Sequence, residues 1–305
     1  MVSEHWLSAF ITREGLAAHY GSVAQQWFLP VAAELAERAA EQQDVLVVGI
    51  QGCQGSGKST LAALLEHALE TQWHIATQRL SLDDFYLSRS ARAVLAEREH
   101  PLFIRRGPPG THDMGYLSQV LDEIFAGADE IVLPRFDKLE DDRAEEVRLL
   151  RRAKPVRVVI IEGWCLGLTA QRDAALAMPV NHWEQEYDAD GCWRRLVNTY
   201  LGSEAYQSVF NRVDDLLILQ APGFAPVVEW RRQQECYLKA RNEIESPMTE
   251  VMDRAAVEAF VQPFQRLTEH ALQVLPSRAR CGWQLDSRRE VVSAWGLGRD
   301  NRFLS

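Results

Sequence analysis

Residues 45–59 read VLVVGIQGCQGSGKS, an apolar run followed by Gly52, Gly57, Lys58 and Ser59 at the spacing of a phosphate-cradling loop. Glycines allow successive backbone N–H groups to point inward around a phosphate, and a helix starting at Lys58 adds its positive dipole end. Lys58 is then expected to reach the β- and γ-phosphates of a nucleoside triphosphate, and the Ser59 hydroxyl to ligate Mg²⁺. The whole stretch Gly52, Cys53, Gln54, Gly55, Ser56, Gly57, Lys58, Ser59 and Thr60 forms the expected nucleotide contact. Context supports a strand–loop–helix unit. Val45–Ile50 supply the strand, and Leu61, Leu64, Leu65, Ala68 and Leu69 recur at helical spacing behind the loop. The alternative is a glycine-rich turn without ligand; the dinucleotide fingerprint does not require the Lys-Ser pair.

Outward from this unit, short apolar runs alternate with helical stretches. Val45–Ile50, Gln78–Leu82, Val156–Ile161 and Leu216–Leu219 are the strand candidates, and their alternation with helices predicts an α/β three-layer sandwich around a central, mostly parallel sheet. Ligands in such sheets collect beyond the carboxyl ends of the strands, where Gly52, Asp83 and Glu162 all fall. Residues 1–43 read as an N-terminal helical segment, with Val31, Leu35, Ala36 and Ala39 on one face after Pro30. The main domain is expected over 44–276, with a hairpin at about 130–150 and a helical insertion at about 165–213; residues 277–305 read as a tail. From Val257 to Leu275 the apolar residues keep a 3.6-residue period, with a kink at Pro263.

A chain of 305 residues with 47% hydrophobic and 25% charged residues can bury a substantial core, which excludes a disordered chain. Its net charge of −10 argues against a broad nucleic-acid or membrane-surface footprint, so any acidic ligand has to be met by a local basic cluster. The five cysteines are scattered without metal-ligand spacing and read as reduced thiols. No basic-apolar leader and no membrane-length apolar stretch is seen, so a cytoplasmic protein acting on small molecules is expected.

Several segments could carry chemistry. RLSLDDFYL ends a strand on Asp83 and Asp84, and a carboxylate there could orient an acceptor hydroxyl and take its proton; the other reading is a helix cap or solvated turn. VRVVIIEGW places Glu162 just past a buried strand, where a carboxylate could hold Mg²⁺ directly or through water or orient a nucleophile; the other reading is a strand-terminal Glu facing water. RRGPPGTHD offers Arg106, Thr111, His112 and Asp113 either as a substrate loop or as a turn whose Thr111 or Asp113 caps the next helix. Arg135, Lys138 and Arg143 belong to the hairpin, as substrate contacts or as exposed charges. In EWRRQQE, Arg231 is a candidate lid arginine over the γ-phosphate, the alternative being a solvated helix face. Cys53, next to Lys58 and a helix N-terminus, is expected to have a lowered pKa.

In order, GCQGSGKST, SLDDFYL, RGPPGTHD, LPRFDK with DDR, IIEGWCLG and WRRQQE resemble the P-loop kinases of the phosphoribulokinase, uridine kinase and pantothenate kinase group, most of all its D-glycerate 3-kinase branch. The resemblance runs from about Val45 to Leu275. It implies a P-loop fold, MgATP as phosphate donor and glycerate as acceptor, with Asp83 at the position of the catalytic carboxylate, Lys58 in the nucleotide loop, Glu162 at the second nucleotide motif and Arg231 in the WR-x-QE block. The stretch ESPMTEVMDR is shifted against the corresponding family segment, and the residues after Cys281 match none of its motifs. Two alternatives stay open: a kinase for another hydroxylated metabolite, nucleoside-like or pantothenate-like, and an ATP-binding regulatory protein without transfer activity.

Overall fold

The computed structural model describes residues 5–151, 154–233, 236, 254–297 and 302–304. Strand β1 (Leu46–Gly52) is buried along its whole length because it lies mid-sheet, parallel to β7 (Val158–Gly163) on one side and to β8 (Asp215–Gln220) on the other. Strand β2 (Thr77–Ser81) pairs in parallel outside β7, and β9 (Cys281–Leu285) in parallel outside β8. Two antiparallel strands, β10 (Val291–Leu297) and β11 (Arg302–Leu304), complete the order β11-β10-β9-β8-β1-β7-β2. With helices on both faces, strands β1 and β7 have no solvent side, which is why they read as nearly unbroken apolar runs.

The alternation of side chains sends Leu46, Val48, Ile50, Val158 and Ile160 to one face and Val47, Val159 and Ile161 to the other. The first face is covered by α1 (His5–Arg13), α3 (Leu29–Glu41) and α4 (Lys58–Gln72). A short α2 (Tyr20–Val23) and a π-helical turn (Ala24–Phe28) lead into α3, whose Val31, Leu35, Ala36 and Ala39 are buried as their spacing predicts. The second face packs α6 (Met114–Phe125), α9 (Glu204–Phe210) and α12 (Gln265–Val274). Pro263 lies in a 3₁₀ turn between α11 (Arg254–Val261) and α12, at the expected kink. Among the described residues no helix is long and apolar enough to cross a membrane, and all five cysteines are free thiols.

Two excursions leave the sheet. The hairpin is two-tiered, β3 (Glu130–Leu133) pairing with β6 (Arg148–Arg151) and β4 (Phe136–Asp137) with β5 (Asp142–Arg143). The helical insertion consists of α7 (His182–Tyr187), α8 (Cys192–Leu201) and α9, and it is tied to α12 by a buried pair, Arg266 donating to both Glu184 oxygens at 2.8 and 2.7 Å. Arg266 also donates to the Ala175 and Met178 carbonyls, so this buried charge is hydrogen-bonded on several sides.

The reading of 277–305 as a tail is corrected by the sheet itself. Within that segment, β9 extends the parallel sheet and Trp283 is fully buried, its indole N–H donating to the Trp27 carbonyl at 2.9 Å and its ring meeting Phe28 edge-on at 5.1 Å. The segment CGWQL hid its strand because Gly and Gln dilute the apolar alternation. Trp283→Ala is expected to lower the unfolding free energy by about 3–5 kcal/mol in chemical denaturation, against under about 0.5 kcal/mol for a side chain in an unpacked tail.

Candidate active site

Parallel register aligns the carboxyl ends of the central strands: Ile50 pairs with Glu162, Glu162 with Ser81, and Gly52 with Leu219. The chain then leaves β1 through a tight loop. Gly55 and Gly57 have φ of +74° and +97°, in the left-handed region that favours glycine. A Cβ at Gly55 would come within 2.8 Å of Trp230, so the loop lies against the helix over residues 225–233, designated α10. Gly57 caps α4, and Lys58, its first residue, folds its ammonium back to donate to the Cys53 carbonyl at 3.1 Å.

A cavity of about 490 Å³ opens beside this loop, lined by Gln54, Gly55, Gly57, Lys58, Ser59 and Thr60 together with Asp83, Glu162, Arg106, Lys138 and Arg231. Glu162 is buried, and its Oε1 accepts hydrogen bonds from the Ser59 and Ser81 hydroxyls, each at 2.8 Å. That places a carboxylate and two hydroxyls at the helix start, a set of hard oxygen donors that suits Mg²⁺ sharing its coordination with phosphates and water. Among the described residues no group of three or more acidic, His or Cys side chains could hold a metal by itself.

Asp83 follows β2 in a 3₁₀ turn (Leu82–Phe85). Its Oδ2 accepts from Lys138 Nζ at 2.6 Å and its Oδ1 from the Tyr86 hydroxyl at 2.9 Å. Burial works to raise its pKa, but Lys138, Lys58 and the two hydrogen bonds outweigh it, and the carboxyl is held well below its ordinary range. Lys138 is shifted the opposite way, chiefly by the Asp83 charge. Arg231 is buried with its guanidinium 4.9 Å from the centre of the Phe260 ring, a cation–π contact.

The hairpin tip carrying Lys138 is fastened from below. Fully buried Arg92, together with Arg106, holds Asp141, while Asp142 accepts from the Arg89 amide and Asp84 from that of Phe136. Arg106 also donates to the Lys138 carbonyl at 3.2 Å and lies 5.4 Å from the Phe136 ring centre.

Other expected contacts stand elsewhere. Thr111, His112, Asp113, Arg135 and Arg143, expected as ligand contacts, do not line this cavity. Thr111 is buried and ties its own turn, donating to Pro108 O at 2.7 Å and accepting from the Gly107 amide. Asp113 caps α6 by accepting from the Tyr116 amide and also pairs with Arg143, whose guanidinium holds the Tyr86 carbonyl. His112 is buried between Tyr86, on which it stacks at 4.6 Å, and the Tyr206 hydroxyl at 2.8 Å from Nδ1; burial lowers its pKa to about 4, so it is neutral. Arg135 is exposed and lines a separate cavity with Arg79 and Arg148. In the loop, Gly52, Cys53 and Ser56 do not face the cavity; Cys53 and Ser56 are buried, and the expected lowering of the Cys53 pKa is reversed, burial outweighing Lys58 and pushing the thiol up to about 11.

The sequence reading passed over Ser81 and Tyr86, although both flank the Asp pair, and over Trp164, Phe260 and Phe264, which supply apolar walls. Glu14, Leu16 and Arg289 also line the cavity, from the α1–α2 and β9–β10 turns, segments with no motif to mark them.

No protein-family model matches the chain. It is 37% identical over 205 residues to "Uncharacterized kinase mug58" of Schizosaccharomyces pombe, covering 64% of this chain and 72% of that protein. The chloroplastic D-glycerate 3-kinase of Arabidopsis thaliana is 26% identical over 210 residues, 64% of this chain and 42% of that protein. Among solved structures, the D-glycerate 3-kinase from Cryptococcus neoformans superposes with a TM-score of 0.72 at 27% identity, covering 89% of this chain and 98% of that one. With its glycine-rich loop, parallel sheet and kinase relatives, the chain belongs to the ATP-dependent P-loop kinases of the phosphoribulokinase, uridine kinase and pantothenate kinase group.

Proposed function

We propose that this kinase transfers the γ-phosphate of ATP to a hydroxyl of a small carboxylate-bearing acceptor, D-glycerate. The observation that carries the reading is the opening of Asp83 and Lys58 onto one cavity, with a carboxylate for the acceptor hydroxyl and an ammonium for the phosphates. In that cavity Lys58, Arg106, Lys138 and Arg231 gather positive charge that the net charge of −10 denies to the chain at large. A small carboxylate needs such donors. The two D-glycerate 3-kinases among its relatives support the same acceptor.

In this reading the loop amides and Lys58 hold the β- and γ-phosphates. Ser59 and Glu162 would hold Mg²⁺, which when bound neutralises the phosphate oxygens. Asp83 orients the acceptor hydroxyl and takes its proton as the oxygen attacks phosphorus; Arg231 balances charge developing on the transferred group. The aromatic walls Trp164, Phe260 and Phe264 exclude water, which would otherwise compete as acceptor.

A coupled ATP-consumption assay across glycerate, uridine, pantothenate and sugar phosphates tests the acceptor: turnover of another compound with none of glycerate would overturn it. Asp83→Asn is expected to lower kcat by about 10²–10⁴-fold with little change in KM for ATP. Wild-type turnover in that variant would remove Asp83 from the chemistry. Since the Cys53 thiol ionises only near pH 11, thiol alkylation at pH 7.5 should leave Cys53 unmodified by mass spectrometry; rapid labelling there would contradict the buried loop.

A further inference from the structure

The ion pair on Asp83 poses a chemical problem for the reading just given. A carboxylate that is to take a proton from an alcohol is weakened as a base by an ammonium 2.6 Å away, and here the Tyr86 hydroxyl draws on the other oxygen as well. Lys58, from α4, adds a second positive charge facing Asp83, while Glu162 and Arg231 act on Lys138. Of these partners Lys138 is the one built to leave. Its backbone is fixed by Arg106, but its side chain is about half exposed at 48%, a compact charge on a flexible stem with three donors. Tyr86, in contrast, is buried, stacked on His112 and set edge-on to Phe136 at 5.2 Å. Arg106 is committed to Asp141 and the Phe136 ring.

Building on the proposed anionic acceptor, we propose that Lys138 selects acceptors by ion-pair exchange: its ammonium leaves Asp83 for the acceptor's carboxylate, and the released Asp83 engages the acceptor hydroxyl. A neutral alcohol of the same size offers the ammonium no counter-charge, so Lys138 stays on Asp83 and the hydroxyl meets a weakened base. After exchange, the hydroxyl oxygen forms its bond to the γ-phosphorus and its proton passes to Asp83 Oδ2. The bond from the γ-phosphorus to the β,γ-bridging oxygen breaks, its electron pair leaving on ADP. Lys138 thereby couples recognition of acceptor charge to activation of the acceptor hydroxyl. Simple anchoring would supply the first without the second.

The test is steady-state kinetics of wild type, Lys138→Met and Lys138→Arg with MgATP, on D-glycerate and on glycerol, which lacks the carboxylate. Wild type should prefer glycerate by about 10³-fold or more in kcat/KM. In Lys138→Met, glycerate should lose roughly 10²-fold while glycerol turnover rises about tenfold, because Asp83 is freed. Lys138→Arg keeps the charge and should restore the preference. Glycerol turnover in Lys138→Met that is unchanged or reduced would overturn the exchange and leave Lys138 as an anchor. Should wild type ignore glycerate, the acceptor assignment fails separately, and the same comparison is made with the hydroxy acid that is phosphorylated and its neutral alcohol; preference for a neutral acceptor would overturn the exchange as well.

Discussion

The Glu162 carboxylate joins three pieces of chain at one point: the start of α4 through Ser59, the end of β2 through Ser81, and β7, on which it stands. Everything else at the site is measured from this junction. It exists because parallel pairing puts Ile50, Ser81 and Glu162 in register, so the loop after β1 and the turn after β2 open on the same edge of the sheet. A buried carboxylate without donors would be costly, and the two hydroxyls reduce that cost while aiming it at the helix start.

Around the junction the molecule divides its labour by rigidity. The loop is confined by Gly55 pressed on Trp230, and the Asp83 turn by Tyr86, whose ring is packed between His112 and Phe136. The hairpin reaches the cavity from outside the sheet, so its position depends on a network of its own, with Arg92 and Arg106 on Asp141 and Arg143 on both Asp113 and the Tyr86 carbonyl. Many of the polar residues that looked like ligand contacts are spent in this way. Thr111, His112, Asp113 and Arg143 support the turn and the hairpin that present Asp83 and Lys138, acting from behind the cavity. A side chain with a satisfied buried partner is held in place, whereas Lys138, half exposed on a flexible stem, can exchange partners.

Local chemistry made much of this legible in one dimension. The Gly-Lys-Ser spacing, the apolar runs of β1, β7 and β8, and the 3.6-residue period over Val257–Leu275 carry their structural meaning in the identity and spacing of neighbours, so loop, core strands and kinked helix could be read directly. The order of motifs carried the family. The partners of each polar residue were not legible, because Arg143 with Asp113, Lys138 with Asp83 and Ser81 with Glu162 stand 30, 55 and 81 residues apart in the chain. Nor could periodicity place β9, whose Gly and Gln break the apolar alternation that marks other strands.

The thiol of Cys53 shows where the division lies. From the chain alone, a neighbouring lysine and a helix N-terminus argue for an acidic thiol; enclosure by the core reverses that, because removing a thiolate from water costs more than Lys58 returns. Short-range pattern determined the phosphate loop, the sheet class and the kinase family, since these depend on residue type and spacing. Tertiary structure decided which charges face the cavity, which are consumed as supports, and that the α1–α2 and β9–β10 turns help to wall it, because burial and long-range pairing arise only once the sheet has closed its register.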